Sequence, residues 1–427
     1  MTWAAARTSA GLSLLFLAVY GSCNWLTAIR SDVGTWYFEW ERHIPFVPLM
    51  IVPYMSIDLF FVLAPFVCRD RAELTTFRRR IVLAIVAAGA VFLLFPLRFA
   101  FERPPVTGWL GAVFDTFRTL DQPYNLFPSL HITLRTILID VYVRHTSGLV
   151  RAGLLVWFSL IGLSTVLTYQ HHVMDVVGGF ALAAICFWAV RDAPLTAPVV
   201  SNRRIARLYL AGFVFAVVLA LVGWPWTAVL LWPAALLLIV AAAYLGLGPG
   251  IFRKADGRLP FSTRLLFGPY LFGQYLSLCY YRRQCRPWDE VMPNVLIGGR
   301  LTEAQAAELV RSGVTAVLDL TAEFSEASPF LGVAYCNTPI LDLTAPTHEH
   351  LRAATAFIAD HAKTGKVYVH CKIGYSRSAA VVGAHLLAAG HAATVVEAEQ
   401  RLRRARPTIV IRPEAMAALH GFVPAPR

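Results

Sequence analysis

Runs of about 20 apolar residues recur through the first 250 positions of this chain, and in a bilayer such a run has one stable form. It must be a helix, because each backbone N–H and C=O has to find its partner within the segment. The runs lie at about 9 to 29, 46 to 68, 80 to 100, 128 to 144, 150 to 169, 173 to 191, 206 to 223 and 226 to 247, which predicts about eight membrane helices. With 57% hydrophobic residues the chain is too apolar for an ordinary soluble protein. Arg7 before the first run imitates a signal peptide, but no small-residue cleavage site follows and the residues before Cys23 form no lipoprotein site, so this helix is expected to be retained.

The net charge of +12 follows the loops. Arg69, Arg71, Arg78, Arg79 and Arg80 fall between the second and third runs, Arg144 and Arg151 between the fourth and fifth, and Arg191, Arg203, Arg204 and Arg207 between the sixth and seventh. The loop from Arg30 to Arg42 mixes signs and carries Trp36, Tyr37 and Trp40 as interface anchors. By the positive-inside rule both termini are expected in the cytoplasm of a multi-pass protein of a plasma or inner membrane. Arginines spread over alternate loops form no nucleic-acid motif, and nucleic acid is excluded as a partner.

A different chemistry is written at His370-Cys371-Lys372-Ile373-Gly374-Tyr375-Ser376-Arg377-Ser378. The apolar Lys366-Val367-Tyr368-Val369 before it reads as a buried strand and the run from Ser378 as an amphipathic helix, so the loop lies at a helix N-terminus. Unpaired N–H groups and the helix dipole there favour an anion and lower a cysteine pKa. Gly374 lets the backbone close round phosphoryl oxygens, Arg377 offers a planar fork to two of them, and Ser378 is placed to hydrogen-bond the thiolate.

This segment resembles the Cys-x5-Arg signature of dual-specificity and tyrosine phosphatases, over roughly residues 288 to 427. The resemblance implies that Cys371 attacks phosphorus to give a phosphocysteine, while an Asp on a separate loop protonates the leaving oxygen and then activates water. Asp342, in Pro339-Ile-Leu-Asp342-Leu-Thr-Ala-Pro346, matches that Asp, and Asp319 in Val314-Thr-Ala-Val-Leu-Asp-Leu is its competitor. His-Cys-Lys-x-Gly-x-Ser-Arg-Ser with Asp-x-Thr-x-x-Pro is similar to the mitochondrial-type phosphatidylglycerophosphate phosphatases, which implies a phospholipid head group as substrate.

The assigned topology places two further clusters on the outer face. One holds Arg98, Glu102, Arg103, Pro104 and Pro105, then Asn125-Leu-Phe-Pro128-Ser129-Leu130-His131; the other is His171-His172-Val-Met-Asp175. Ionisable residues at membrane depth are costly, which makes a functional role their default reading. These clusters resemble the type 2 phosphatidic acid phosphatase superfamily over roughly residues 50 to 190, nearest its inositol phosphorylceramide and sphingomyelin synthase branch. The resemblance implies His171 as nucleophile, Asp175 orienting it, His131 as acid for the leaving group and Arg103 holding phosphate. The family's Lys is missing, with Arg98 the nearest substitute; Thr165 stands where a Ser-Arg pair is usual, and Arg135, one turn after His131, can compensate. Water or a lipid hydroxyl can resolve a phosphohistidine, so hydrolysis and transfer both stay open.

Between the halves, Arg258 to Arg286 is aromatic and basic, with Gly268, Pro269, Gly273 and Gln274 interrupting its apolar run. A helix lying in the interface fits better than a span, and keeps the thiolate in a reducing compartment. The seven cysteines show neither metal spacing nor a disulfide framework, and no cofactor motif is present. Thr302 with Gln305, and Thr394 with Glu397, cap helices in a parallel-rich α/β domain.

The expected architecture is an all-α polytopic membrane domain (1–250), an interfacial linker (251–287) and a cytoplasmic α/β dual-specificity phosphatase domain (288–427). The expected function is a bifunctional phosphatase with a membrane lipid as partner. Two alternatives stand beside it: a membrane-anchored protein phosphatase acting on a phosphoprotein, and a non-catalytic lipid or phosphoprotein binding module.

Overall fold

The computed structural model describes the chain apart from residues 121, 192–196, 224–226 and 423–427, and the side chains of 117–120. The predicted run at 226 to 247 therefore begins, and the predicted phosphatase domain ends, outside the described residues. Two compact units form, Met1–Asp192 and Ala193–Arg427.

The first unit is helical: α1 (Thr2–Ala28), α2 (Ile51–Val67), α3 (Arg71–Leu94), α4 (Gly108–Leu120), α5 (Leu130–Arg144), α6 (Gly148–Leu167) and α7 (Val173–Ala189). Its core is aliphatic and aromatic, with Ile81, Ile85, Ile137, Phe158 and Ile161 fully enclosed. Among the described residues α1, Pro48–Val67 and α6 are each long and apolar enough to cross a membrane, and α7 is a shorter apolar helix. The run expected at 80 to 100 is displaced toward the N-terminus. Arg78, Arg79 and Arg80 lie inside α3 and not in a loop, and the helix ends at Leu94. Arg80 is paired across to Asp140 at 3.3 Å, and Asp140 is also bonded by Arg144. Amphipathic α4 was not foreseen.

Two glycines set the mouth of this bundle. A Cβ on Gly178 would lie 2.4 Å from the Phe127 ring and one on Gly179 2.6 Å from the Ser129 carbonyl, so α7 approaches the start of α5 as closely as backbone allows.

The second unit begins with α8 (Arg203–Val222) and α9 (Leu231–Ala242), the latter inside an apolar helical stretch Ala228–Phe252; α8 and that stretch are again of membrane-crossing length. Two shorter helices follow, α10 (Phe261–Leu266) and α11 (Gly268–Arg282). Next come β1 (Trp288–Met292), β2 (Val295–Gly298), α12 (Glu303–Arg311), β3 (Val314–Thr321), β4 (Ala334–Ile340), α13 (His348–His361), β5 (Lys366–His370), α14 (Arg377–Ala388), α15 (Val395–Ala405) and α16 (Pro413–His420).

The sheet order is β1-β2-β5-β3-β4, with only the β1–β2 pair antiparallel. The sheet is parallel-rich, as expected, and is mixed because β1 hairpins back onto β2. Central β5 is buried on both faces, as its Val-Tyr-Val run requires, and delivers the chain into the loop before α14. Thr302 and Gln305 form the expected capping box. At α15 the Thr394 side chain accepts from the Glu397 N–H, but the Glu397 carboxylate turns to the Ala393 N–H.

Candidate active sites

Strand β5 ends at His370 and α14 starts at Arg377, so the six residues between them, with both ends fixed, form a rigid loop. Cys371 lies at its base, 3% exposed. Its sulfur receives the Gly374 N–H at 3.3 Å and lies 3.4 Å from the Ser378 hydroxyl. Burial by itself would push this thiol up; the Arg377 guanidinium, the Ser378 hydroxyl and the Ser378 and Gly374 N–H groups outweigh it and hold the thiol below its ordinary value. Gly374 has φ +81°, and a Cβ there would strike the Gly298 carbonyl carbon at 2.5 Å, so the turn admits no side chain.

The loop's carbonyls are held from behind. Arg406, fully buried, donates to the carbonyls of Ile373 at 3.1 Å and Gly374 at 3.1 Å, and is itself paired to Asp289 at 2.6 Å. Turning the carbonyls outward turns N–H groups inward, the orientation an anion needs. Ser376 accepts the Arg412 N–H at 3.2 Å, and the Tyr375 ring meets Tyr281 of α11 edge-on.

Arg377 is buried and doubly bonded to Glu323, at 2.9 Å and 3.3 Å, with a further bond to the Ile340 carbonyl at 2.8 Å. The half-buried Asp342 carboxylate lies 3.3 Å from Arg377 and 3.5 Å from Lys372. Burial opposes the charged carboxylate, but these two cations prevail and hold Asp342 below the usual carboxylate range. Lys372 also donates to Gln274 at 2.7 Å and Ser277 at 3.0 Å, both on α11.

Asp319, the competing acid, faces a different set of groups. It is fully buried, bonded by Lys254, by the Tyr335 hydroxyl at 2.8 Å and by the Thr321 N–H at 2.7 Å. His370 lies 2.7 Å from Glu326 and 3.8 Å from Asp319. Asp319, Glu326 and His370 offer three metal-ligand atoms within 4.8 Å of one another, but the Lys254 ammonium already occupies Asp319. Burial would lower the pKa of His370, but the Glu326 and Asp319 carboxylates outweigh it and raise that pKa; His370, just before the loop, faces them together with Lys254.

In the first unit, the motifs Pro128 to His131 and His171 to Asp175 are tied by backbone. The Ser129 N–H donates to the Asp175 carbonyl at 2.9 Å, and the Thr133 hydroxyl to the Gly179 carbonyl at 3.0 Å. Asp175, fully buried, accepts the His172 N–H at 2.8 Å and lies 3.6 Å from His171 Nδ1. The Thr165 carbonyl takes the N–H groups of Gln170 and His171, fixing the turn that presents His171. His131 stacks on Tyr54 with centroids 4.1 Å apart. His131 Nε2 and His171 Nδ1 are both buried without a hydrogen-bond partner.

Arg103 donates to the Tyr169 carbonyl at 2.9 Å, beside His171 in the chain. Arg98 is exposed, and Arg135 is turned toward α6, donating to the Phe158 carbonyl at 2.6 Å. His172 is fully buried, stacked on Phe99 and paired with buried Glu41 at 3.0 Å. Sequence reasoning missed Glu41, Glu323, Lys254 and Arg406, for none belongs to a short motif.

The model of the dual specificity phosphatase catalytic domain matches residues 297–423 and that of the PAP2 superfamily matches 32–189. Dual specificity protein phosphatase 26 of Rattus norvegicus is 30% identical over 172 residues, covering 36% of this chain and 79% of the relative. The chain belongs to the dual-specificity phosphatase family. Another relative, the phosphatidylglycerophosphatase and protein-tyrosine phosphatase 1 of Homo sapiens, is 30% identical over 172 residues, 38% of this chain and 85% of its own length. A phosphatidylglycerophosphate phosphatase of Arabidopsis thaliana is 28% identical over 177 residues, 39% and 73% of the two lengths. This dual-specificity phosphatase is thus a phosphoric monoester hydrolase fused to an N-terminal domain of the PAP2 superfamily.

Proposed function

We propose that the phosphatase domain hydrolyses a phosphomonoester on a phospholipid head group at the cytoplasmic face of the bilayer. The observation that carries this reading is α11. Gln274, Ser277 and Leu278 face the phosphatase loop and Tyr281 meets its Tyr375, whereas Phe272, Tyr275, Leu276 and Tyr280 point away and are exposed. An apolar face turned outward, with Arg264 before it and Arg282 and Arg283 at its end, suits a helix lying in a membrane interface. Such a helix sets the Cys371 loop beside the head groups. Relatives named for phosphatidylglycerophosphate support the same substrate class.

In this mechanism the Cys371 thiolate attacks phosphorus while Arg377 and the inward N–H groups bind the phosphoryl oxygens. The ester P–O bond breaks, and Asp342 gives its proton to the departing oxygen. Asp342 then takes a proton from water, whose oxygen attacks phosphorus, the S–P bond breaks and thiolate returns. Phosphate arriving at Arg377 takes up the positive charge that depresses Asp342, which restores the proton the acid needs.

The PAP2 domain supplies a second site on the outer face of a multi-pass bundle of about eight spans. Its His171 imidazole attacks phosphorus, Asp175 stabilises the imidazolium, His131 protonates the leaving oxygen and Arg103 holds phosphate. The buried His131 Nε2, which has no hydrogen-bond partner, and His171 Nδ1, 3.6 Å from the Asp175 carboxylate, support that reading. Water completes a hydrolysis; a lipid hydroxyl completes a transfer. The functional division is then 1–250, 251–287 and 288–427.

The test is phosphate release by the full chain in vesicles containing phosphatidylglycerophosphate, alongside a phosphotyrosine peptide in solution. The proposal expects release from the vesicles and its loss in Cys371→Ser. Turnover of the peptide alone favours a protein phosphatase, the substrate class for which the rat relative is named.

A further inference from the structure

The loop that carries Asp342 is gripped by residues outside the phosphatase sheet. The Tyr244 hydroxyl donates to the Asp342 carbonyl at 2.7 Å, and Asn202 Nδ2 donates to the next carbonyl, that of Leu343, at 2.8 Å. Both donors belong to one end of a helix pair. Asn202 is the N-cap of α8, Tyr244 lies near the end of the apolar stretch Ala228–Phe252, and the Asn202 N–H donates to the Tyr244 carbonyl at 3.0 Å.

Leu343 sits at φ +60°, a left-handed conformation that a bulky side chain keeps only where its surroundings hold it. Here its carbonyl is held by Asn202, and its N–H donates to Asp342 Oδ1 at 3.1 Å. The kink at Leu343 therefore aims the Asp342 carboxylate, and the grip on the kink comes from the helix pair. Tyr244 has little freedom to let go. It is 1% exposed and its ring stacks on Tyr209 with centroids 5.5 Å apart.

We propose that Tyr244 and Asn202 are positioning residues for the acid of the phosphatase reaction, so that proton delivery from Asp342 depends on the folded ends of α8 and α9. This rests on the reading of Asp342 as that acid. The step they serve is the first: the ester P–O bond breaks, its electron pair stays on oxygen, and the Asp342 proton moves to that oxygen. A leaving group stable as an anion can depart without the proton, whereas a basic one cannot.

The experiment uses the full chain in lipid nanodiscs with two soluble probes, 4-nitrophenyl phosphate and phenyl phosphate, whose leaving groups differ in basicity. Asp342→Asn should lower kcat on phenyl phosphate about 100-fold further than on 4-nitrophenyl phosphate. Tyr244→Phe and Asn202→Ala should each move the same ratio in the same direction by about tenfold, with KM unchanged, as an acid held slightly out of place requires. Tyr244→Phe keeps the ring and its stacking, and Asn202→Ala is an independent check. Equal loss on both probes, or no loss on either, overturns the positioning role while leaving Asp342 as the acid. If Asp342→Asn itself lowers both probes equally, the acid assignment falls and the inference with it.

Discussion

Arg377 and Glu323 meet as a buried, two-bonded pair, Nη2 to Oε1 at 2.9 Å and Nη1 to Oε2 at 3.3 Å. The guanidinium that should bind phosphate is thereby fixed in plane before substrate arrives, and its own burial is compensated.

Glu323→Gln keeps the shape but removes the charge. Arg377 then loses its anchor, and kcat/KM should fall by about 100-fold, as misplacement of a phosphate clamp implies. Steady-state kinetics on 4-nitrophenyl phosphate checks this, and an unchanged kcat/KM would mean that Ile340 and the helix suffice to hold the arginine.

Arg377 and Lys372 together depress Asp342, which as the proposed acid has to be protonated to act. A group with a lowered pKa loses its proton earlier as pH rises, so activity falls from a lower pH. Lys372→Met removes one depressing cation and should move the basic limb of the kcat/KM profile to higher pH. A limb that stays in place, or moves down, contradicts the assignment of Asp342.

Lys254, from the segment before α10, neutralises Asp319 of β3. Replacing it with Met strands a buried carboxylate, at a cost of about 3–5 kcal/mol. Asp319 is held well below the usual range, so the stability its charge contributes is present above the unfolded carboxylate pKa and is lost as pH falls through the folded one. Thermal unfolding of the full chain at neutral pH should show the loss, and Lys254→Met combined with Asp319→Asn should recover part of it.

A methyl group at Gly179 would stand 2.6 Å from the Ser129 carbonyl and 2.8 Å from Ile132 Cβ. Gly179→Ala should therefore push α5 from α7 and separate His131 from His171. Activity of the proposed histidine site should drop by about tenfold or more. Hydrolysis of 4-nitrophenyl phosphate by the Cys371 domain should persist; parallel loss of both would contradict two separate sites.

The parts of this structure that could be read in advance are local. Nine consecutive residues from His370 carry the strand end, the loop and the helix start, and His171 to Asp175 runs from the turn before α7 into its first turn. What escaped depends on partners far along the chain. Glu323 lies 54 positions from Arg377 and Glu41 131 from His172, and neither looks different from a surface acid until the chain folds. Strand β1, Trp-Asp-Glu-Val-Met, lacks apolar alternation, and edge strand β4 carries Asn and Pro, so neither had a strand signature. Arg78 to Arg80 imitated a loop because a run of cations looks like one, yet long basic side chains can lie along a helix and carry their charges to its polar surroundings. The helix pair α8 and α9 was legible as two apolar runs, but its grip on the Asp342 loop was not: Tyr244 reads as one more aromatic in an apolar run.

The central claim is that Cys371 serves a lipid substrate, and lipid mass spectrometry on cells carrying the wild type, Cys371→Ser or His171→Ala tests it most directly. The account predicts that Cys371→Ser accumulates a phosphorylated phospholipid such as phosphatidylglycerophosphate, and that His171→Ala changes a different lipid. An unchanged lipid profile in Cys371→Ser cells would contradict it.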